Sequence, residues 1–191
     1  CVSISPLCSM QHRCTFRRAQ MKFSKWAKWD EREIVLKMEV GKRTISGKDL
    51  LKFRGIYALA ISKKTDMTGK DFKWEKDIVY FGMTNSIKGL AGRLKQFNNT
   101  LRDLPGAGHG GAARFLSKNE RKHKKGDVLA KKLFVSVSPF FSSKPGLKPE
   151  TSRDLKLMGR VAKAEYDALA TYLGEHKALP KYNDKELSPK K

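Results

Sequence analysis

Glu165 stands among Met158, Val161, Ala162, Ala168, Leu169 and Tyr172, which share one helical face with it at spacings of three, four and seven. The side of that helix expected to face the core therefore carries a carboxylate. Burying an unpaired carboxylate costs several kcal/mol, so something cationic must meet it, either an internal ion pair or a metal ion. Arg93 is the nearest ion-pair partner by pattern. It borders the apolar stripe of its own helix, beside Leu90 and Phe97, so its guanidinium emerges at the rim of a groove instead of in bulk water. Two tyrosines, in Gly55-Ile56-Tyr57 and Tyr80-Phe81-Gly82, sit on short apolar runs where an ordinary strand needs none. His109 lies in a glycine-rich loop, Pro105 to Gly111. There it can contact a phosphate, take part in proton transfer, or simply be exposed. The glycines around it imply a loop that moves or approaches something closely.

The elements that must hold these groups follow from periodicity. Gly55 to Ile61 and Ile78 to Gly82 read as buried strands of an antiparallel hairpin. The connection between them, Ser62 to Asp77, carries Lys63, Lys64, Lys70, Lys73 and Trp74, which either touch a phosphate backbone or belong to a solvated loop. Asn85-Ser86 can cap a helix from Ile87 to Leu101, whose stripe is Ile87, Leu90, Ala91, Leu94, Phe97 and Leu101. Ala112 to Leu116 starts a further helix, and Val128 to Val137 gives a third strand before Pro139. Ser142 to Pro149 is a loop, and Thr151 to Leu173 is the longest helical pattern. Ahead of the hairpin, Lys25 to Val40 suggests a helix followed by a short strand or turn ending at Gly41. Ser46 and Asp49 then mark the start of a short helix leading into Gly55. The expected fold class is α+β, a small three-stranded antiparallel sheet flanked by helices.

With 41 Lys+Arg against 19 Asp+Glu the formal charge is +22, on a chain of 191 residues that is still 39% hydrophobic. One folded domain with extensions fits that length, and the positive field favours a polyanion, nucleic acid before an anionic membrane. The densest basic patch lies at residues 117–132 and includes Arg121, Lys122, Lys124 and Lys125. No apolar run approaches the ~20 residues of a membrane span. All three cysteines fall at Cys1, Cys8 and Cys14, which argues against a disulfide framework. Cys8, His12 and Cys14 match no standard zinc spacing. A cytosolic, nucleoid-associated setting is expected. Residues 1–20 are expected to be a disordered or non-native extension. Their serines and arginines are also those of an organelle transit peptide, so import stays open. Residues 21–50 are expected to form a basic helical extension, 51–184 the domain, and 185–191 a basic tail. Nothing in the sequence specifies an oligomeric state.

The ordered set Gly55-Ile56-Tyr57, Tyr80-Phe81-Gly82, Arg93, a third strand, Glu165 and Asn183 resembles the signature of the GIY-YIG endonuclease family, over about Leu51 to Asp184. The closing stretch Leu179-Pro180-Lys181-Tyr182-Asn183 is similar to the family's last element, whose asparagine fixes the turn by backbone hydrogen bonds. Phe81 replaces the middle isoleucine. Phe97 stands where many members have histidine or tyrosine, and Met83 where some have lysine.

What the resemblance implies is metal-dependent cleavage of double-stranded DNA to 5′-phosphate and 3′-hydroxyl ends. Glu165 would hold Mg2+ or Mn2+, Tyr57 would be the base, Arg93 would clamp the phosphate, and Tyr80 would orient the water or bond the phosphate. Either His109 or a nearby lysine would replace the proton-relay group missing at Phe97 and Met83, or the activity would be slower than is usual in the family. Gly55, Gly82 and Asn183 would be structural at the site. Lys63, Lys64, Arg121, Lys122, Lys124 and Lys125 would touch nucleic acid. The rival reading is a nucleic-acid-binding protein that keeps the scaffold without catalysis. A ribosomal-type basic protein leaves Tyr57, Arg93 and Glu165 unexplained.

Overall fold

Gly55–Ile61 is apolar from end to end because both of its faces are covered, the pattern of a strand in the middle of a sheet. The computed structural model describes residues 21–29, 36–62, 65–106, 108–119, 132–141 and 145–183. In chain order its elements are β1 (Ala27–Lys28), β2 (Lys37–Val40), β3 (Arg43–Ser46), α1 (Gly47–Leu51), β4 (Gly55–Ile61), β5 (Ile78–Thr84), α2 (Gly89–Leu101), α3 (Gly110–Asn119), β6 (Leu133–Pro139) and α4 (Ser152–His176). The main sheet runs β1-β6-β4-β5 with every pair antiparallel, and β2 and β3 form a separate two-stranded sheet. No helix among the described residues is long and apolar enough to cross a membrane.

Alternation along β4 sends Tyr57 and Leu59 to one face and Ile56, Ala58 and Ala60 to the other. The first face is covered by Leu90, Leu94, Phe97 and Leu101 of α2 and by Ala112 and Phe115 of α3. The second packs Val161, Ala164, Ala168 and Tyr172 of α4, together with Phe23 and Trp26. The α+β class holds. The sheet, however, has four strands and not three, because β1 pairs with β6 through Ala27 and Val135. Two residues are too few to show a strand period, so this edge was invisible in the sequence.

The same segment corrects the expected helical extension at 21–50. Among its described residues, helix is confined to α1, and Lys37–Val40 and Arg43–Ser46 are strands. The backbone N–H groups of Ser24, Trp26 and Trp29 donate to the carbonyls of Val137, Lys70 and Leu133, which ties the segment into the domain. The connection before β5 is docked in turn. Phe72 stacks on Phe23 at 4.0 Å between centroids and lies 5.4 Å from Trp26, while Trp74 sits edge-on to Phe23 and Phe72. The connection is therefore docked at Phe72 and Trp74, while Lys70 and Lys73 on it are exposed.

Helix α2 begins at Gly89, not Ile87. Asn85 donates to the Met158 carbonyl and Ser86 Oγ accepts the Lys88 N–H, so neither caps the helix as expected. Helix α4 begins with a reciprocal capping box between Thr151 and Asp154. The expectations for residues 1–20, Lys63, Lys64, Arg121, Lys122, Lys124, Lys125 and 185–191 lie outside the described residues.

Candidate active site around Tyr57

Tyr57 and Gly82 are direct partners across β4 and β5, and the missing side chain at 82 is what the Tyr57 ring occupies. A Cβ there would stand 2.5 Å from the Tyr57 hydroxyl oxygen and 2.7 Å from Tyr80 Cε1. Two positions on, Leu59 faces Tyr80, so both phenols project to the α2 and α3 side of the sheet with ring centroids 6.0 Å apart. Gly55 plays a different part. A Cβ at 55 would meet the Ser138 carbonyl oxygen at 2.5 Å, so that glycine lets β4 approach β6 and does not touch the phenols.

His109 closes over Tyr57. Its backbone N–H donates to Thr100 Oγ1 near the end of α2 (2.9 Å), and its carbonyl accepts the Ala113 N–H at the start of α3 (2.9 Å). The imidazole is 1% exposed, packs 5.1 Å from the Phe97 ring, and brings Nε2 to 2.8 Å from the Tyr57 hydroxyl. Phe97 thus walls the histidine that stands beside the phenol. Gly111 gives the close approach here, since a Cβ would run into the Tyr80 ring at 2.6 Å.

The charges come from two other helices. Arg93 on α2 bears on Tyr57, Tyr80, His109 and Glu165, and Glu165 on α4 bears on both phenols. Burial pushes Tyr57 well above the ordinary tyrosine value; Tyr80 and Glu165 add to the rise and Arg93 opposes it. Tyr80 is raised by burial and by Glu165, against Arg114 and Arg93. Burial also raises Glu165, with Arg93 holding it down. His109 is lowered to about 3 by burial and by the neighbouring Arg93 and Arg114.

Arg93 donates to Gln96 at 3.1 Å, and its Nε is buried without a hydrogen-bond partner. No ion pair between Arg93 and Glu165 is present among the described residues. Of the two readings of the inward carboxylate, the closed internal pair is therefore absent among the described residues. Glu165 also lies beside the buried stripe and not at its centre. That stripe is Leu157, Val161, Ala164, Ala168 and Tyr172, and Glu165 shares the half-buried flank with Met158, Ala162 and Leu169.

Asn183 does more than close its own turn. Its side chain accepts the Phe81 N–H and donates to the Phe81 carbonyl, both at 2.7 Å, while the Tyr182 N–H donates to Val79 at 2.9 Å. The chain's last described turn thereby covers the outer edge of β5. Arg114 donates Nε to the Tyr182 carbonyl at 2.8 Å and bears on Tyr80 and His109, so it belongs to the same cluster. Arg114 was missed in the sequence. Starting the helix at Gly110 places it on the second turn, close to the loop that carries His109.

The cluster thus joins Tyr57, Tyr80, Arg93, His109 and Glu165, with Gly82 beneath them and Asn183 behind β5. Its carboxylate fits a hard cation that keeps most of its waters, a mode that needs one or two protein oxygens and the substrate's phosphate. It does not fit an all-protein metal cage, since no group of three or more His, Cys, Asp or Glu converges among the described residues. Comparison with known proteins yields no match for this chain among family models, curated proteins or solved structures.

Proposed function

We propose that the protein is a GIY-YIG-type endonuclease that hydrolyses phosphodiesters of double-stranded DNA to 5′-phosphate and 3′-hydroxyl ends, using Mg2+ or Mn2+. The observation that carries this reading is the meeting of a guanidinium whose Nε has no hydrogen-bond partner and a carboxylate that forms no ion pair among the described residues, from two helices, at a pair of phenols. Glu165 would hold the cation, which when bound supplies charge at the leaving oxygen. Arg93 would grip the scissile phosphate through its free Nε and oppose the charge that develops there. Tyr57 would take the proton of the attacking water, and Tyr80 would orient that water. The raised pKa of Tyr57 demands cationic help, and Arg93 already supplies part of it.

Nicking of a supercoiled plasmid in magnesium tests the assignment. Tyr57→Phe, Arg93→Ala and Glu165→Gln are each expected to lower the rate at least ~10²-fold with the fold retained. Magnesium is expected to raise the melting temperature of the wild type and not that of Glu165→Gln. Retained cleavage in all three variants would sink the reading.

One observation favours the rival, a binding protein without catalysis: the Tyr57 side chain is 0% exposed, so water reaches its hydroxyl only if the residues above it shift. That rival predicts a salt-sensitive gel shift with no products in magnesium or manganese.

A further inference from the structure

The His109 ring takes part in two hydrogen bonds, and one of them decides the chemistry of the other. The Ala112 backbone N–H, which can only donate, points at Nδ1 from 3.2 Å. Nδ1 is therefore the bare nitrogen of the ring. His109 precedes Gly110, the first residue of α3, and this bond to the third helical N–H is that of an N-cap side chain. The proton of a neutral imidazole is left on Nε2, 2.8 Å from the Tyr57 oxygen.

We infer that His109 is a fixed hydrogen-bond donor to the Tyr57 oxygen, a positioning residue that favours the phenolate, and not the acceptor of the Tyr57 proton. This deepens the nuclease reading and rests on it for the phenolate's use. The charged and titratable groups facing the ring come from every element packed on it: Tyr57 from β4, Tyr80 from β5, Arg93 from α2 and Arg114 from α3. The two arginines oppose a second proton on the imidazole, so the acceptor role stays closed to it. No proton passes between His109 and Tyr57. The Nε2–H remains on nitrogen while the phenol gives its own proton to solvent water, and the oxygen's new negative charge strengthens the bond it receives from Nε2.

Substitution separates the two ends of the ring. Asparagine at 109 keeps a short acceptor for the Ala112 N–H but withdraws the donor from Tyr57. Glutamine presents an amide N–H at the distance of Nε2. Nitrogen NMR of histidine-labelled protein, with His109 assigned by its loss in His109→Asn, is expected to show the Nε2-protonated tautomer at about pH 7. A ring protonated on Nδ1 overturns the inference. In Tyr57→Phe the tautomer is expected to persist while the Nε2–H exchanges faster with water; an unchanged exchange rate also overturns it.

In plasmid nicking, His109→Gln is expected within ~3-fold of wild type, and His109→Asn at least ~10-fold lower in kcat with KM within about twofold. Equal rates for the two variants would show that the donor does nothing. A wild type without nuclease activity sinks the functional reading instead, and the two spectroscopic measurements still decide this one.

Discussion

A methyl group at position 82 would have to occupy space already taken by the Tyr57 hydroxyl, 2.5 Å away, and the Tyr80 ring edge, 2.7 Å away. Neither neighbour is the loose end of a flexible chain, since Tyr57 is held at its oxygen by His109 and Tyr80 is buried. Gly82→Ala is therefore expected to cost about 1–3 kcal/mol of stability by overpacking. It is also expected to lower cleavage about 10²-fold, because a reacting group displaced by about an ångström loses its alignment. Thermal unfolding and plasmid nicking check both. Wild-type cleavage with alanine at 82 would mean that the phenol is not held where β4 and β5 place it. The glycine itself was legible, as were Tyr57, Arg93 and Glu165. Its reason was not, because it depends on the cross-strand register that sets Gly82 opposite Tyr57. Arg114 escaped for a like cause: it matters through Tyr80 and His109, neither adjacent to it in the chain.

Among the elements, the short link from α2 to α3 turns local sequence into site geometry, and it leaves a signature in acid stability. His109 ends that link with a pKa lowered to about 3, against about 6.5 for a histidine in an unfolded chain. Between those values the unfolded chain holds a proton that the folded one does not. Stability is therefore fully present above the unfolded value and falls as the pH drops through that window, by about 1.4 kcal/mol per pH unit for one such group. His109→Asn keeps the cap acceptor and removes the titration. It is expected to flatten the fall between about pH 6 and about pH 4, as read by urea unfolding at a series of pH values. An unchanged slope would mean that the folded histidine takes up its proton normally. Periodicity placed α2, α4 and the β4–β5 hairpin, because each has one long apolar stripe or run. It misplaced details that tertiary contacts decide. The buried stripe of α4 is turned so that Glu165 lies on its flank, and α3 starts two residues early because His109 caps it.

Across the whole molecule, the stretch 21–50 reads from the sequence as an extension of the domain, yet it supplies the fourth strand and, through Phe23 and Trp26, part of one core face. Its alternation of charges with Trp26 and Trp29 hid a two-residue strand, and the partner that orders it, the connection carrying Phe72 and Trp74, is likewise charged. Trp26 joins the two: its backbone N–H donates to Lys70, its carbonyl accepts from Gly69, and its buried ring lies over Phe72. If this region is part of the core, Trp26→Ala leaves a large cavity and should cost about 3–5 kcal/mol. Trp26→Phe should cost much less. The indole Nε1 is buried without a hydrogen-bond partner, so losing it removes an unsatisfied donor and offsets part of the lost packing. Urea midpoints of the two variants test this, and a Trp26→Ala midpoint equal to wild type would return the segment to the status of an appendage. Because Trp26 packs with α4 on the face of the sheet opposite the phenols, cleavage by Trp26→Phe should match wild type wherever the protein is folded. A loss of activity without a loss of stability would instead show that the two faces are coupled through β4, the one strand that carries Ile56 to one side and Tyr57 to the other.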